Sequence, residues 1–355
     1  MRGWGAIAGI GALAVASSAA VATGERTRNL TAAPVVATAF VPRKTAWGDP
    51  DFSATWTSAR TAEAEIPLER PTEMGNRAWL NDAEFAKRLA AAEKSDAGFS
   101  QTVDADGTAG LAQWVRTTPF ARRSSQIIAP ANGRLPPLTP SAEARFERGR
   151  SSWNKGQPID WVADLDSFDR CISRGFPTSM LPRGNNTGIR VFQAPGFIAF
   201  QIEILGTRII PLARGRRWPP AVHAWLGQSL GHWEGNTLVI ETRGIVAGDG
   251  AGGNALQHAA PPINVDRDGV IPVSERAVAI ERLTMTGPGT MAYQVTYTDP
   301  EVFTAPWTVE IDWQRDDKYR LYEYACHEGN EVRELINASR AQRRKDAAAA
   351  ATKGG

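Results

Sequence analysis

The fold is decided by Met291-Ala292-Tyr293-Gln294-Val295-Thr296-Tyr297-Thr298 and, after a short break, Trp307-Thr308-Val309-Glu310-Ile311-Asp312-Trp313. In both stretches large apolar side chains take every second position, and small or polar ones sit between. Successive side chains of a strand point to opposite faces, so a period of two marks strands with one buried face. Ile198, Phe200, Ile202 and Ile204 repeat the pattern against Ala199, Gln201 and Glu203. The turns are equally legible. Glu234-Gly235-Asn236 separates His232-Trp233 from Thr237-Leu238-Val239-Ile240-Glu241, and Thr286-Gly287-Pro288-Gly289 joins strands at 275–285 and 290–298. Asp316-Asp317-Lys318 reads as the link to a last strand ending near Cys326. About eight strands fit between 188 and 326, and their short links favour a mainly β, antiparallel up-and-down barrel or sandwich.

Outward from this core, residues 187–330 form the β domain and 45–186 a mixed loop and helical segment packed on it. Asp51 to Trp56 reads as a short opening strand. Asn81 caps a helix with Phe85, Leu89 and Ala92 on one stripe, and Ser141 caps a second helix to about Gly149. Residues 244–272, with Gly248-Asp249-Gly250 and Pro261-Pro262, form a long loop of the kind that often covers a binding site. Residues 331–355 read as a C-terminal helix with a frayed Ala-rich tail.

The N-terminus carries an address. Met1-Arg2 is followed by an uncharged run rich in Ala and Gly from Gly3 to Val21, and Ala20-Val21-Ala22 is a small-x-small site before the polar Thr23. This is the layout of a cleavable signal peptide, residues 1–22, with a flexible arm over 23–44. The protein is expected in the periplasm or secreted, with no stable membrane span after cleavage. Its 40 basic and 38 acidic residues nearly cancel, which leaves no global field for nucleic acid. Cys171 and Cys326 are the two cysteines. In an oxidising compartment they either bridge or remain two buried thiols.

Several motifs carry a resemblance. Gly133-Arg134-Leu135-Pro136-Pro137-Leu138-Thr139-Pro140, Arg170-Cys171-Ile172-Ser173-Arg174-Gly175, Trp233-Glu234-Gly235-Asn236-Thr237-Leu238-Val239 and Tyr322-Glu323-Tyr324-Ala325-Cys326-His327-Glu328-Gly329-Asn330 stand out. With Gly48-Asp49-Pro50-Asp51-Phe52-Ser53 they make the chain resemble, from about Thr45 to Asn337, a large family of exported bacterial proteins without an established activity. The resemblance implies export and a lipocalin-like β domain. Gly215-Arg216-Arg217-Trp218 and the loop at 246–272 depart from the family pattern and leave ligand preference open.

No GxSxG, HExxH, CxxC, P-loop or EF-hand spacing occurs, and no cofactor or metal is expected. His232, His258 and His327 are at most a scattered set of ligands. The candidate acid–base residues are His327, with Glu328 or Glu203; the bland alternative has His327 and Glu328 closing the barrel end while Asn330 caps the last helix. Gln201, Arg208, Tyr324, Trp233 and Arg170 are the candidate ligand contacts. Gln201 and Glu203 line a cavity only if their face points inward, and Glu281-Arg282 poses the same question. Arg170, Arg174 and Arg183 either clamp an anion or pair with Asp164, Asp166 and Asp169. The leading expectation is a small, largely apolar organic ligand held in a Trp/Tyr-lined cavity. The rivals are a cofactor-independent lyase, isomerase or hydrolase in that cavity, and a structural envelope protein without a pocket. Oligomeric state is not legible.

Overall fold

The computed structural model describes residues 29–37, 39–57, 66–106, 122–152, 156–182, 186–204, 206–212, 216–249, 256 and 270–353. The signal segment, the first part of the arm, Arg183, His258 and most of the Gly/Pro-rich loop lie outside the described residues.

Ten strands form one sheet: β1 (Ala54–Thr57), β2 (Ile127–Ala129), β3 (Gly188–Ala194), β4 (Phe197–Ile202), β5 (Thr207–Pro211), β6 (Gln228–Glu234), β7 (Thr237–Arg243), β8 (Val278–Gly287), β9 (Thr290–Thr298) and β10 (Trp307–Arg315). All pairings are antiparallel, in the order β5-β4-β3-β1-β10-β9-β8-β7-β6, with β2 also on β10. The sheet curls into a nearly closed barrel. Its two meanders, β3–β5 and β6–β10, are joined by β1, whose Trp56 pairs with Ile189 on one side and Arg315 on the other. The remaining seam lies between β5 and β6. Gly231 of β6 makes that approach possible: a Cβ there would stand 3.0 Å from Ile210 and 3.0 Å from Leu212.

The alternation sorts faces as its period demands. Ile198, Phe200 and Ile202 of β4, Met291, Tyr293, Val295 and Tyr297 of β9, and Trp307, Val309, Ile311 and Trp313 of β10 are all buried inside. Barrels of about this strand number have an interior just wide enough for side chains, and here aromatic rings take it up. Tyr293 stacks on Trp313 at 4.8 Å between ring centres, Phe200 meets Trp313 edge-on at 6.1 Å, and Tyr297 leans on Trp307 at 5.3 Å. The side chains expected to wall a hollow pack on one another.

Among the described residues three α-helices decorate the barrel: α1 (Asp82–Asp106), α2 (Pro140–Arg148) and α3 (Val332–Lys353). Asn81 caps α1 as expected, its Oδ1 accepting from the Glu84 amide (2.9 Å) while Glu84 accepts from the Asn81 amide (2.9 Å). The helix runs on to Asp106, well beyond the Phe85, Leu89 and Ala92 stripe that marks it in the sequence. Thr139, not Ser141, caps α2, because Pro140 takes the first helical position, where its missing N–H costs nothing. Among the described residues no helix is long and apolar enough to cross a membrane.

The expected strand from Tyr319 to Cys326 does not form. β10 already has β9 along one edge and β1 with β2 along the other, so the chain leaving Arg315 finds no free edge. It crosses the outside of the barrel instead, as an irregular strap from Asp316 to Cys326.

Candidate functional site

Inside the barrel, at the β5–β6 seam, lies a closed polar cluster. Arg208 projects inward from β5 and Glu281 from β8, both essentially inaccessible. The pair is bidentate, Nη1 to Oε1 at 2.8 Å and Nη2 to Oε2 at 2.5 Å. Arg208 Nη2 also donates to Ser229 Oγ (2.8 Å) and Thr242 Oγ1 (3.2 Å), and Tyr293 Oη donates to Glu281 (2.8 Å). Burial works to lower the Arg208 pKa, but the charge and hydrogen bonds of Glu281 hold it above the ordinary value. Burial, and then the Glu281 charge, raises the Tyr293 phenol well above its usual range. The Phe176 ring lies 4.5 Å from the guanidinium carbon. Arg208 is therefore where a ligand contact was expected, inside, but its charge is answered by Glu281.

The second arrangement is outside. Gln201 is exposed on the outer face of β4, opposite Arg190 of β3. Together with Phe192 and the strap residues Asp317 to Leu321 they line an open depression of about 710 Å³. Glu203 positions the strap. It is buried, accepting from Tyr319 Oη at 2.6 Å, the Gly188 amide at 3.2 Å and the Tyr322 amide at 3.4 Å. Gly188 is required beneath it, since a Cβ there would stand 2.6 Å from the Tyr319 ring. Among the described residues Arg190 and Lys318 make no side-chain ion pair, whereas Asp317 is held by Arg315 at 2.8 Å. Arg190, Lys318 and the Gln201 amide thus border one groove, whose lining also includes Phe192, Leu321 and the charged Asp317 and Arg320.

The remaining candidates are scattered. His327 and Glu328 are exposed in the turn that follows the strap, and no hydrogen bond joins either side chain to Glu203 among the described residues. Glu203, committed to Tyr319 and two backbone amides, is a structural anchor here. Asn330 lies one residue before the cap position of α3 and no helix amide donates to its Oδ1 among the described residues; its Nδ2 donates to the Asp169 carbonyl (2.6 Å) and the Cys171 sulfur (3.2 Å). Tyr324 stacks on Phe168 at 6.4 Å, and Trp233 meets Phe52 edge-on at 5.1 Å. Arg170 stands over Trp225 at 5.6 Å, its pKa lowered by burial against the opposing pull of Asp166. Asp164 pairs with Arg150 at 2.6 Å. Glu281 faces inward and Arg282 outward, where it pairs with Glu234 at 2.8 Å.

Cys171 and Cys326 form a disulfide across 155 residues, with Cα atoms 5.6 Å apart. It ties the far end of the strap to the 165–182 segment. Sequence reasoning missed Arg190, Phe192, Lys318 and Tyr319. One signal was available: Arg190 and Phe192 share the parity opposite to Ile189 and Val191, which puts an aromatic side chain on the outer face of β3. Compared with known protein families, with curated proteins and with solved structures, the chain shows no match in any of the three.

Proposed function

We propose that this is an exported barrel protein that binds a small organic anion, and that it does so in the groove between the β3–β4 outer face and the strap. The observation that carries the reading is the convergence of Arg190, Lys318 and Gln201 on one depression that Phe192 and Leu321 also line. Its volume of about 710 Å³ falls within the usual range for small-molecule sites. An anion there gains two cations that have no acidic partner to surrender. A ligand seeking Arg208 would have to displace Glu281 and the rings packed around it. The leader-like N-terminus supports export, and so does the Cys171–Cys326 bridge, since such bonds persist in oxidising compartments.

The test is calorimetric titration with naphthalene-1-sulfonate, a flat apolar body carrying one fixed negative charge. The wild-type protein should bind it in the micromolar range. The double variant Arg190→Ala/Lys318→Ala, with unchanged circular dichroism, should bind at least about tenfold more weakly, and added salt should weaken the wild type alone. Equal affinity in the double variant, or no binding at millimolar probe, overturns the proposal.

A further inference from the structure

Beyond the groove, the same outer face carries a patch that the barrel has no use for. β3, β4 and β5 are in register, so their outward side chains form rows across the strands. Arg190, Gln201 and Thr207 make the polar row that borders the groove. The next row is Phe192, Ala199 and Ile209, and the one after it Ala194, Phe197 and Pro211. Phe192, Phe197 and Ile209 are 49 %, 41 % and 66 % exposed. Bulky apolar side chains on the water-facing side of a half-buried sheet are the inverse of what folding requires, and a contiguous set of them marks a contact surface.

We infer that the ligand of this face is a single-chain anionic amphiphile. Its head would sit between Arg190 and Lys318, and its tail would run along the two apolar rows. The inference rests on the groove reading above and adds the ligand class. Charge complementarity fixes which end is which, because the cations border the platform on the groove side. The length follows from strand geometry: the span from the Arg190 row to the Ala194 row is four residues, roughly 13 Å, which accommodates about ten methylenes of extended chain.

The experiment is a titration with ethyl, butyl, hexyl, octyl, decyl and dodecyl sulfate, each below its micelle-forming concentration. Affinity should rise about two- to fourfold per methylene and level off near decyl. Phe197→Ser/Ile209→Thr, both outside the groove lining, should flatten the series while leaving the weak binding of ethyl sulfate in place. Arg190→Ala/Lys318→Ala should weaken every member. If ethyl sulfate binds and depends on the two cations but affinity does not grow with chain length, the amphiphile inference falls and the groove reading stands. If no member binds, both fall. Co-sedimentation with vesicles of phosphatidylglycerol and phosphatidylcholine, without saturable binding of monomeric decyl sulfate, would assign the face to a membrane surface and also overturn the inference.

Discussion

Arg208→Met tests whether the barrel interior is as dry as its packing implies. In the native protein Glu281 receives both guanidinium nitrogens, at 2.8 and 2.5 Å, and Tyr293 Oη at 2.8 Å, with Thr242 Oγ1 further off at 3.5 Å. Methionine preserves the stem of the side chain and its contact with Phe176 but removes both strong charged donors. A carboxylate with no accessible surface is then left with one good hydrogen bond. Breaking a buried pair from one side costs about 3–5 kcal/mol. For a domain of this size that is a fall in melting temperature of roughly 6–10 °C. Replacing both partners, Arg208→Met/Glu281→Leu, removes the orphaned charge and should recover stability to within about 1–2 kcal/mol of wild type, so the double-mutant cycle should show strong coupling. Urea unfolding followed by tryptophan fluorescence measures all three variants. A loss below about 1 kcal/mol for Arg208→Met would mean that water reaches Glu281. The interior would then be a wet hollow, and the case for moving the ligand outside would fail.

Three further outcomes are expected. Burial foremost, then the Glu281 and Asp299 carboxylates, raises Tyr293 and Tyr297 well above the ordinary phenol range; their contribution is therefore complete below about pH 10 and lost as pH climbs past it, so melting temperatures should drop in that window, and all five tyrosines titrating together in the folded protein would contradict this. Cys171→Ser/Cys326→Ser opens a loop of 155 residues and should cost up to about 5 kcal/mol on the chain-entropy model, read as a lower urea midpoint that reductant no longer shifts; an unchanged midpoint counts against it. Gly188→Ala drives a methyl to 2.6 Å from the Tyr319 ring and 3.1 Å from Glu203, a clash worth about 1–3 kcal/mol, and amide exchange over residues 317–325 should speed up; unaltered exchange there would show that the strap does not depend on that contact.

What could be read from the sequence was what depends on neighbours two residues away. The apolar rows of β4, β9 and β10 follow from period alone, and so do the Gly235-Asn236 and Pro288-Gly289 turns; which row turns inward does not. What could not be read depends on partners far along the chain. Tyr322 and Tyr324 alternate like a strand, yet a strand needs an edge, and β1 and β2 occupy the one that Tyr319 to Cys326 would have used. Glu203 and Glu281 are both glutamates among apolar neighbours. One turns outward under the strap and the other inward to Arg208, and only the closure of the ring separates them. The disulfide was one of two open alternatives for the same reason, since Cα proximity across 155 residues is a property of the fold.

Where the proposed ligand would sit is decided by where the protein's charge is left uncompensated. A ring of about this many strands fills with side chains once Trp56, Trp307, Trp313, Tyr293 and Tyr297 turn inward, and a cation inside such a core is tolerable only if an anion neutralises it. Arg208 and Glu281 therefore neutralise each other at the seam, with Arg208 Nε alone left without a partner. The outer face is under the opposite constraint: Arg190 and Lys318 border one depression and make no side-chain ion pair among the described residues, so the proposed anion would supply the partner they lack. The strap that carries Lys318 is held at two points, by Tyr319 on Glu203 and by Cys326 on Cys171. Cys326, Tyr324 and Asn330 of the YEYACHEGN stretch thus fasten the end of the strap to the 165–182 segment, and that fastening holds Lys318 beside the β3–β4 face on which the proposed anion would sit.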